Sequence, residues 1–131
     1  MGIGTRAVCK EELDYAKKTG INYITVQQIR NDGVEKTVQK VEKLLTGIKL
    51  TYLSIDMDVL DPGFVPAVQN PEPNGLSTRM FYELLNGLCD KRVVAFDVVE
   101  VAPHYDNGNT ALQAAKTIFE MLCHIEKTRR S

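Results

Sequence analysis

The stretch 52-YLSIDMDVLDP-62 begins as a strand and ends in acid. Side chains alternate across a strand, so Leu53, Ile55 and Met57 are expected to face one way and Tyr52, Ser54, Asp56 and Asp58 the other. Pro62 halts the run. Asp56 and Asp58 then stand ~6–7 Å apart on one face, at the strand's carboxyl end. Parallel α/β sheets bind their ligands at that end. Two carboxylates so close raise each other's pKa unless positive charge sits between them. A lysine meets that need. A divalent cation with oxygen ligands at ~2 Å meets it better. Taken alone, the D-x-D also reads as a pair of turn or helix-cap aspartates at an exposed strand end. Asp61 differs, because it precedes a proline and opens a loop, which suits a turn-forming acceptor.

Outward from this stretch, short apolar runs alternate with helical patterns, the mark of an α/β protein with a mainly parallel sheet. Residues 10–19 read as a helix that Gly20 ends in a left-handed conformation. Residues 23–26 (YITV) read as a short strand. Val34, Val38, Val41, Leu45 and Ile48 step by three or four and predict a helix closing near Gly47. Residues 61–76 (DPGFVPAVQNPEPNGL) hold four prolines and two glycines and must be a long irregular loop. Loops of that length inside a compact domain are usually functional. Ser77 is placed to cap a helix with Phe81, Leu84, Leu85 and Leu88 on one face. Residues 92–101 (RVVAFDVVEV) form an apolar run long enough to cross a sheet's middle, until Pro103 stops it. A final helix is expected from about Asn109 to Lys127, with Ala111, Ala114, Ala115, Ile118, Leu122 and Ile125 inward. Met1 to Thr5 reads as the tail of a strand. A sheet of three or four such strands leaves an open edge.

The chain has 131 residues and reads as a single domain, 1–131, with 44 % hydrophobic and 25 % charged residues. A net charge of −1 gives no basic surplus for nucleic acid. No apolar run approaches the ~20 residues that cross a bilayer. Residues 1–12 carry neither the basic nor the apolar region of a secretory signal, and Arg6 stands where a myristoylation signal wants Ser or Thr. Cys9, Cys89 and Cys123 match neither a zinc set nor a redox pair, which suits small packing residues in a reducing cytosol.

A second acidic site lies at 97-DVVE-100. A carboxylate in so apolar a run is costly unless paired. Glu100, nearest the strand's end, is expected to share the rim with Asp56 and Asp58, and Asp97 to be a structural hydrogen-bond acceptor. His104 is close enough in sequence to reach the rim. His124 suits the carboxyl end of the last helix, where a cation complements the dipole.

Taken together, S-I-D-M-D-V-L-D-P at 54–62, P-E-P-N-G-L at 71–76 and F-D-V-V-E-V-A-P at 96–103 resemble the ureohydrolases, the arginases, agmatinases and their relatives. The G-T-R at 4–6 followed by K-E-E-L at 10–13 resembles the family's strand-to-helix junction. The P-E-P and D-V-V-E-V-A-P wording is agmatinase-like. Val68, Gln69 and Asn70 depart from the family's Gly- and Thr-rich run, and Asn74 stands where a glycine is usual. The resemblance implies a three-layer α/β/α fold and a two-manganese centre, with Asp56 bridging the metals, Asp58 chelating one and passing on a proton, and Glu100 holding a guanidinium. It implies hydrolysis of a small guanidino compound, agmatine to putrescine and urea above all, with arginine and other guanidino acids as alternatives. It also implies a cytoplasmic homo-oligomer. The family's G-G-D-H and D-A-H-x-D motifs, which supply the remaining ligands, are absent from these residues. The chain therefore resembles a carboxyl-terminal half, which invites a second expectation: a non-catalytic half-domain that self-associates or docks on a complementary amino-terminal half.

Overall fold

The computed structural model describes residues 1–130. Its elements are β1 (Gly2–Thr5), α1 (Lys10–Thr19), β2 (Tyr23–Thr25), α2 (Val26–Asp32), α3 (Val34–Leu44), β3 (Thr51–Asp56), α4 (Thr78–Leu88), β4 (Val93–Val99) and α5 (Asn109–Arg130). Short 3-10 turns follow β3 at Met57–Val59 and β4 at Pro103–Tyr105. The α/β class and the parallel pairing are as expected. The strands, however, form two separate parallel pairs rather than one sheet: β1 with β2, and β3 with β4. Among the described residues no ladder joins β1 to β3.

Local chemistry explains the elements. Gly20 ends α1 at φ 70°, with its N–H turned back to the carbonyls of Ala16 and Lys17. Thr25 closes β2 and caps α2 in one step: its hydroxyl accepts from the Gln28 N–H, and the Gln28 side chain accepts from the Thr25 N–H. That capping box makes Val26 a helix residue, which an extended reading of 23–26 misses. Ser77 accepts from the Met80 N–H at 3.2 Å and starts α4 as expected.

Alternation along β3 holds. Leu53 and Ile55 turn to the core, while Tyr52, Ser54 and Asp56 are exposed. Ile55 belongs to a cluster with Val41, Phe81, Leu84 and Leu85, so α3 and α4 cover that face. The long loop after β3 has no helix or strand, yet it is folded inward: Val65, Ala67 and Val68 are fully buried. Its base is closed where Leu60 bridges Leu76, with the Asp61 N–H donating to the Leu76 carbonyl and the Leu76 N–H to the Val59 carbonyl, both at 2.9 Å.

Two expectations about packing need correction. In α5 the buried residues are Thr110, Ala114, Thr117 and Met121, while Ala115, Ile118 and Leu122 are exposed. Two threonines hide the true face from a hydrophobicity count. Thr117 can be buried because its hydroxyl donates to the Gln113 carbonyl, and Thr110 because its hydroxyl accepts from the Ala67 N–H at 3.0 Å. Of the cysteines, only Cys89 is a buried packing residue; Cys9 and Cys123 are exposed.

Candidate functional site at the carboxyl ends of β3 and β4

β3 ends at Asp56, and the chain at once tightens into the 3-10 turn. Asp56 makes that turn: its carboxylate accepts from the Asp58 N–H at 2.8 Å. Asp58 therefore does not stand on the strand face two residues beyond Asp56, as strict alternation predicts. It sits in the turn, half-buried, and its Oδ1 is buried with no hydrogen-bond partner. Burial, then the charge of Asp56, then that of Glu100 push the Asp58 carboxyl above the usual aspartate range. The Asn70 backbone N–H and the Arg6 guanidinium pull the other way. Glu100 is brought within electrostatic range of Asp58, but not by a continued strand. β4 stops at Val99, and Glu100 takes a left-handed conformation at φ 60°, a costly geometry for a residue with a Cβ. The structure thus gathers Asp56, Asp58 and Glu100 at one rim.

Arg6 is the feature that sequence reading overlooked. It follows β1, and its guanidinium spans the gap to the acidic turn. Nη2 donates to the Asp58 carbonyl at 2.5 Å and reaches the Leu60 carbonyl at 3.5 Å. Nη1 donates to the Val59 carbonyl at 3.1 Å, and Nε to the Glu72 carbonyl at 3.0 Å. A cavity of about 320 Å³ opens here, lined by Arg6, Ser54, Asp56, Asp58, Asn70 and Glu72 among others.

The remaining candidates fall into place around it. Asp61 is a turn residue as read: its carboxylate accepts from the N–H groups of Gly63 and Gly75, and these bonds hold its pKa low. Asp97 accepts from the hydroxyls of Ser54, at 2.7 Å, and Tyr52, and is held low by both. His104 is exposed in the second 3-10 turn, and His124 lies on α5 at 3.9 Å from Glu120. Neither lines the acidic cavity. Among the described residues, no cluster of three or more His, Cys, Asp or Glu side chains is set to hold a metal.

The crowding at Asp58 has a testable sign. Its folded-state pKa lies above the unfolded value, so Asp58 contributes stability only while protonated. That contribution is complete below the ordinary aspartate value and is lost as pH rises through the folded one. Asp58→Asn is therefore expected to raise the melting temperature of the metal-free chain at neutral pH, with the gain vanishing at about pH 3, below the usual carboxylate range. A drop at neutral pH would show that the carboxylate is well paired after all.

The chain as a whole has relatives. A family model described as the Arginase family matches residues 1–123. The chain belongs to the Arginase family. The agmatinase of Neisseria meningitidis serogroup C is 40 % identical over 110 residues, covering 83 % of this chain and 36 % of that protein. The guanidinopropionase of Pseudomonas aeruginosa is 36 % identical over 124 residues, covering 94 % of this chain and 39 % of that protein. Among solved structures, the agmatine ureohydrolase of Thermoplasma volcanium overlays with a TM-score of 0.87 at 34 % identity, over 99 % of this chain and 43 % of that one. This Arginase-family chain thus spans well under half the length of these relatives. None of its helices is long and apolar enough to cross a membrane, among the described residues.

Proposed function

We propose that this chain carries the acid rim of a manganese-dependent hydrolase of guanidino compounds, with agmatine as the substrate and urea and putrescine as products. One observation supports the reading above the rest: a buried carboxylate oxygen of Asp58 lacks any partner, next to two further carboxylates. A protein leaves such an atom unpaired at a cost unless a cation normally meets it. Oxygen donors from Asp56 and Asp58 suit a hard divalent ion such as Mn²⁺. Bound divalent ions would supply Lewis-acid activation of water at neutral pH.

The chain's own residues have defined parts in this reading. Asp56 and Asp58 would hold the metals. Glu100 would orient the planar guanidinium through paired, charge-assisted hydrogen bonds. Its left-handed backbone ends the run of β4, and its charge acts on Asp58. Asp58 would also pass a proton to the departing amine. The relatives named agmatinase, guanidinopropionase and proclavaminate amidinohydrolase support the guanidino class. The agmatine preference rests on the agmatinase-like wording of residues 71–76 and 96–103.

Two aspartates do not hold two ions tightly. The isolated chain is expected to bind Mn²⁺ weakly and to release no urea from agmatine or arginine. Titration with MnCl₂ should raise its melting temperature only once the metal passes the dissociation constant, with a gain of about 1.4 kcal/mol at tenfold excess. Asp56→Asn and Asp58→Asn should each abolish that gain. Urea release by the chain alone, above a metal-free control, would overturn the inactivity. A melting temperature indifferent to Mn²⁺ would favour the second reading, a non-catalytic docking module, which the lack of a three-ligand cluster among the described residues motivates.

A further inference from the structure

The sequence holds three Asn-Gly pairs, Asn74-Gly75, Asn86-Gly87 and Asn107-Gly108. Such a pair has a chemistry of its own. The glycine nitrogen can attack the asparagine Cγ, because no side chain on the second residue blocks the approach. The attack needs a local backbone excursion that lays the nitrogen against the side-chain carbonyl. How readily each pair makes it depends on what holds its glycine.

Two of the pairs are held fast. Asn86-Gly87 lies inside α4, where the helical ladder fixes the peptide. A Cβ at Gly87 would meet Val38 Cγ2 at 2.6 Å, so α4 is seated closely on α3 there. Gly75 is buried against the backbone of Leu60 and Asp61. Its carbonyl accepts from Arg30 at 2.8 Å and its N–H donates to the Asp61 carboxylate at 3.1 Å. Freeing the Gly75 nitrogen would mean opening the base of the long loop. Asn107-Gly108 is different. Asn107 is exposed, between the second 3-10 turn and α5. Gly108 stands at φ 90°, with nothing within 4 Å of its Cβ position. Its nitrogen is held by one bond to a side chain, the Asp106 Oδ1 at 2.8 Å.

We propose that Asn107 is a self-modification site, at which the Gly108 nitrogen displaces ammonia and the residue becomes aspartate and isoaspartate. The N–Cγ bond forms as the bond from Cγ to the side-chain nitrogen breaks. The Gly108 amide proton leaves with that nitrogen as ammonia, and a cyclic succinimide remains. Water then opens the ring. Opening at Cγ restores the ordinary backbone with an aspartate side chain, and opening at the Asn107 backbone carbonyl routes the main chain through Cβ and Cγ. The net change is one water consumed and one ammonia released, with no oxidation or reduction.

The two products act differently on the fold. Asp106 anchors the start of α5: its Oδ2 accepts from the Thr110 N–H at 2.8 Å. The Thr110 hydroxyl and N–H, with the N–H groups of Gly108 and Asn109, hold the Asp106 carboxyl below the usual range. Thr110 in turn accepts from the Ala67 N–H at 3.0 Å, and so ties α5 to the long loop. An isoaspartyl link adds a methylene to the main chain between Asp106 and Thr110 and parts this cap. An aspartate keeps the backbone and adds negative charge beside the amino end of a helix, which is favourable. Isoaspartate alone therefore loosens α5 from the loop that also reaches Asp58 through the Asn70 N–H. The inference does not depend on the hydrolytic reading, because the reaction needs only water.

The test is incubation of the chain at mildly alkaline pH, followed by digestion and mass mapping of the exchange of NH₂ for OH. In the folded chain Asn107 should convert at least about tenfold faster than Asn74 or Asn86. In urea, where the fold no longer distinguishes them, the three rates should come within about threefold of one another. An isoaspartyl-specific carboxyl methyltransferase should label the Asn107 peptide. Asn107→Gln, whose ring closure is slower, should abolish that label and leave the melting temperature unchanged. The isolated isoaspartyl form should melt below the fresh chain, and Asn107→Asp should not. Equal rates at the three sites in the folded chain, faster conversion at Asn74 or Asn86, or an Asn107 as protected by folding as Asn86 would each overturn the proposal. An isoaspartyl form that melts with the fresh chain would overturn the link to α5.

Discussion

Gly75→Ala is expected to destabilise the chain by more than about 3 kcal/mol, a large part of what holds a domain of this size together. The added Cβ would lie 2.3 Å from the Asp61 nitrogen, 2.4 Å from the Leu60 carbonyl carbon and 2.6 Å from the Asp61 Cα. These are backbone atoms, so no change of rotamer relieves the overlap. The two strands of the loop base must part. Parting them strains the hydrogen bonds between Val59, Asp61 and Leu76, and with them the Gly75 N–H to the Asp61 carboxylate at 3.1 Å and the Arg30 guanidinium to the Gly75 carbonyl at 2.8 Å. Leu60 and Leu76, both fully buried, would be pulled apart. Gly20→Ala is the control. It also sits at positive φ, but nothing lies within 4 Å of its Cβ position, so it should cost only about 1 kcal/mol. Urea unfolding of both variants measures the difference. Equal midpoints would mean that the loop base is not packed as described.

This close approach was written in the sequence only as composition. Four prolines and two glycines announce an irregular loop, and Asp61 announces a turn, but nothing local says that Gly75 must pass over Leu60. The same division runs through the site. The alternation that turns Ser54 and Asp56 outward is a property of one strand and was legible. The departure of Asp58 from that face was not, because it arises when the Asp56 carboxylate captures the Asp58 N–H and tightens the chain. Glu100 does come within electrostatic range of Asp58, but not for the expected reason. A regular strand was to carry it there, and a left-handed turn does so instead. The buried face of α5 was misjudged because threonines whose hydroxyls are satisfied locally count as polar in a sequence and as core in a fold. The split into two strand pairs could not be seen at all. Each strand's pattern reports its faces, whereas pairing depends on which neighbours are present.

Arg6→Ala is expected to cost about 3–5 kcal/mol, since hydrogen bonds to a charged donor contribute ~1.5–3 kcal/mol each and those to the Asp58, Val59 and Leu60 carbonyls are partly shielded from water, while that to Glu72 is exposed. The guanidinium is the link between the β1–β2 pair and the turn that presents Asp58, and at Glu72 it also ties down the long loop. Arg6→Lys should recover less than half of the loss. An ammonium keeps the charge but lacks the fork that reaches separate carbonyls from three nitrogens. The two variants separate charge from geometry in a second way. Arg6 opposes the upward push on the Asp58 carboxyl, so Arg6→Ala should raise it further, and the added penalty should appear only as pH rises past the carboxylate range. Arg6→Lys should restore that pH dependence more fully than it restores stability at low pH. If both variants instead lose stability equally at every pH, the arginine is a strut alone, and its charge has no bearing on the acid beside it.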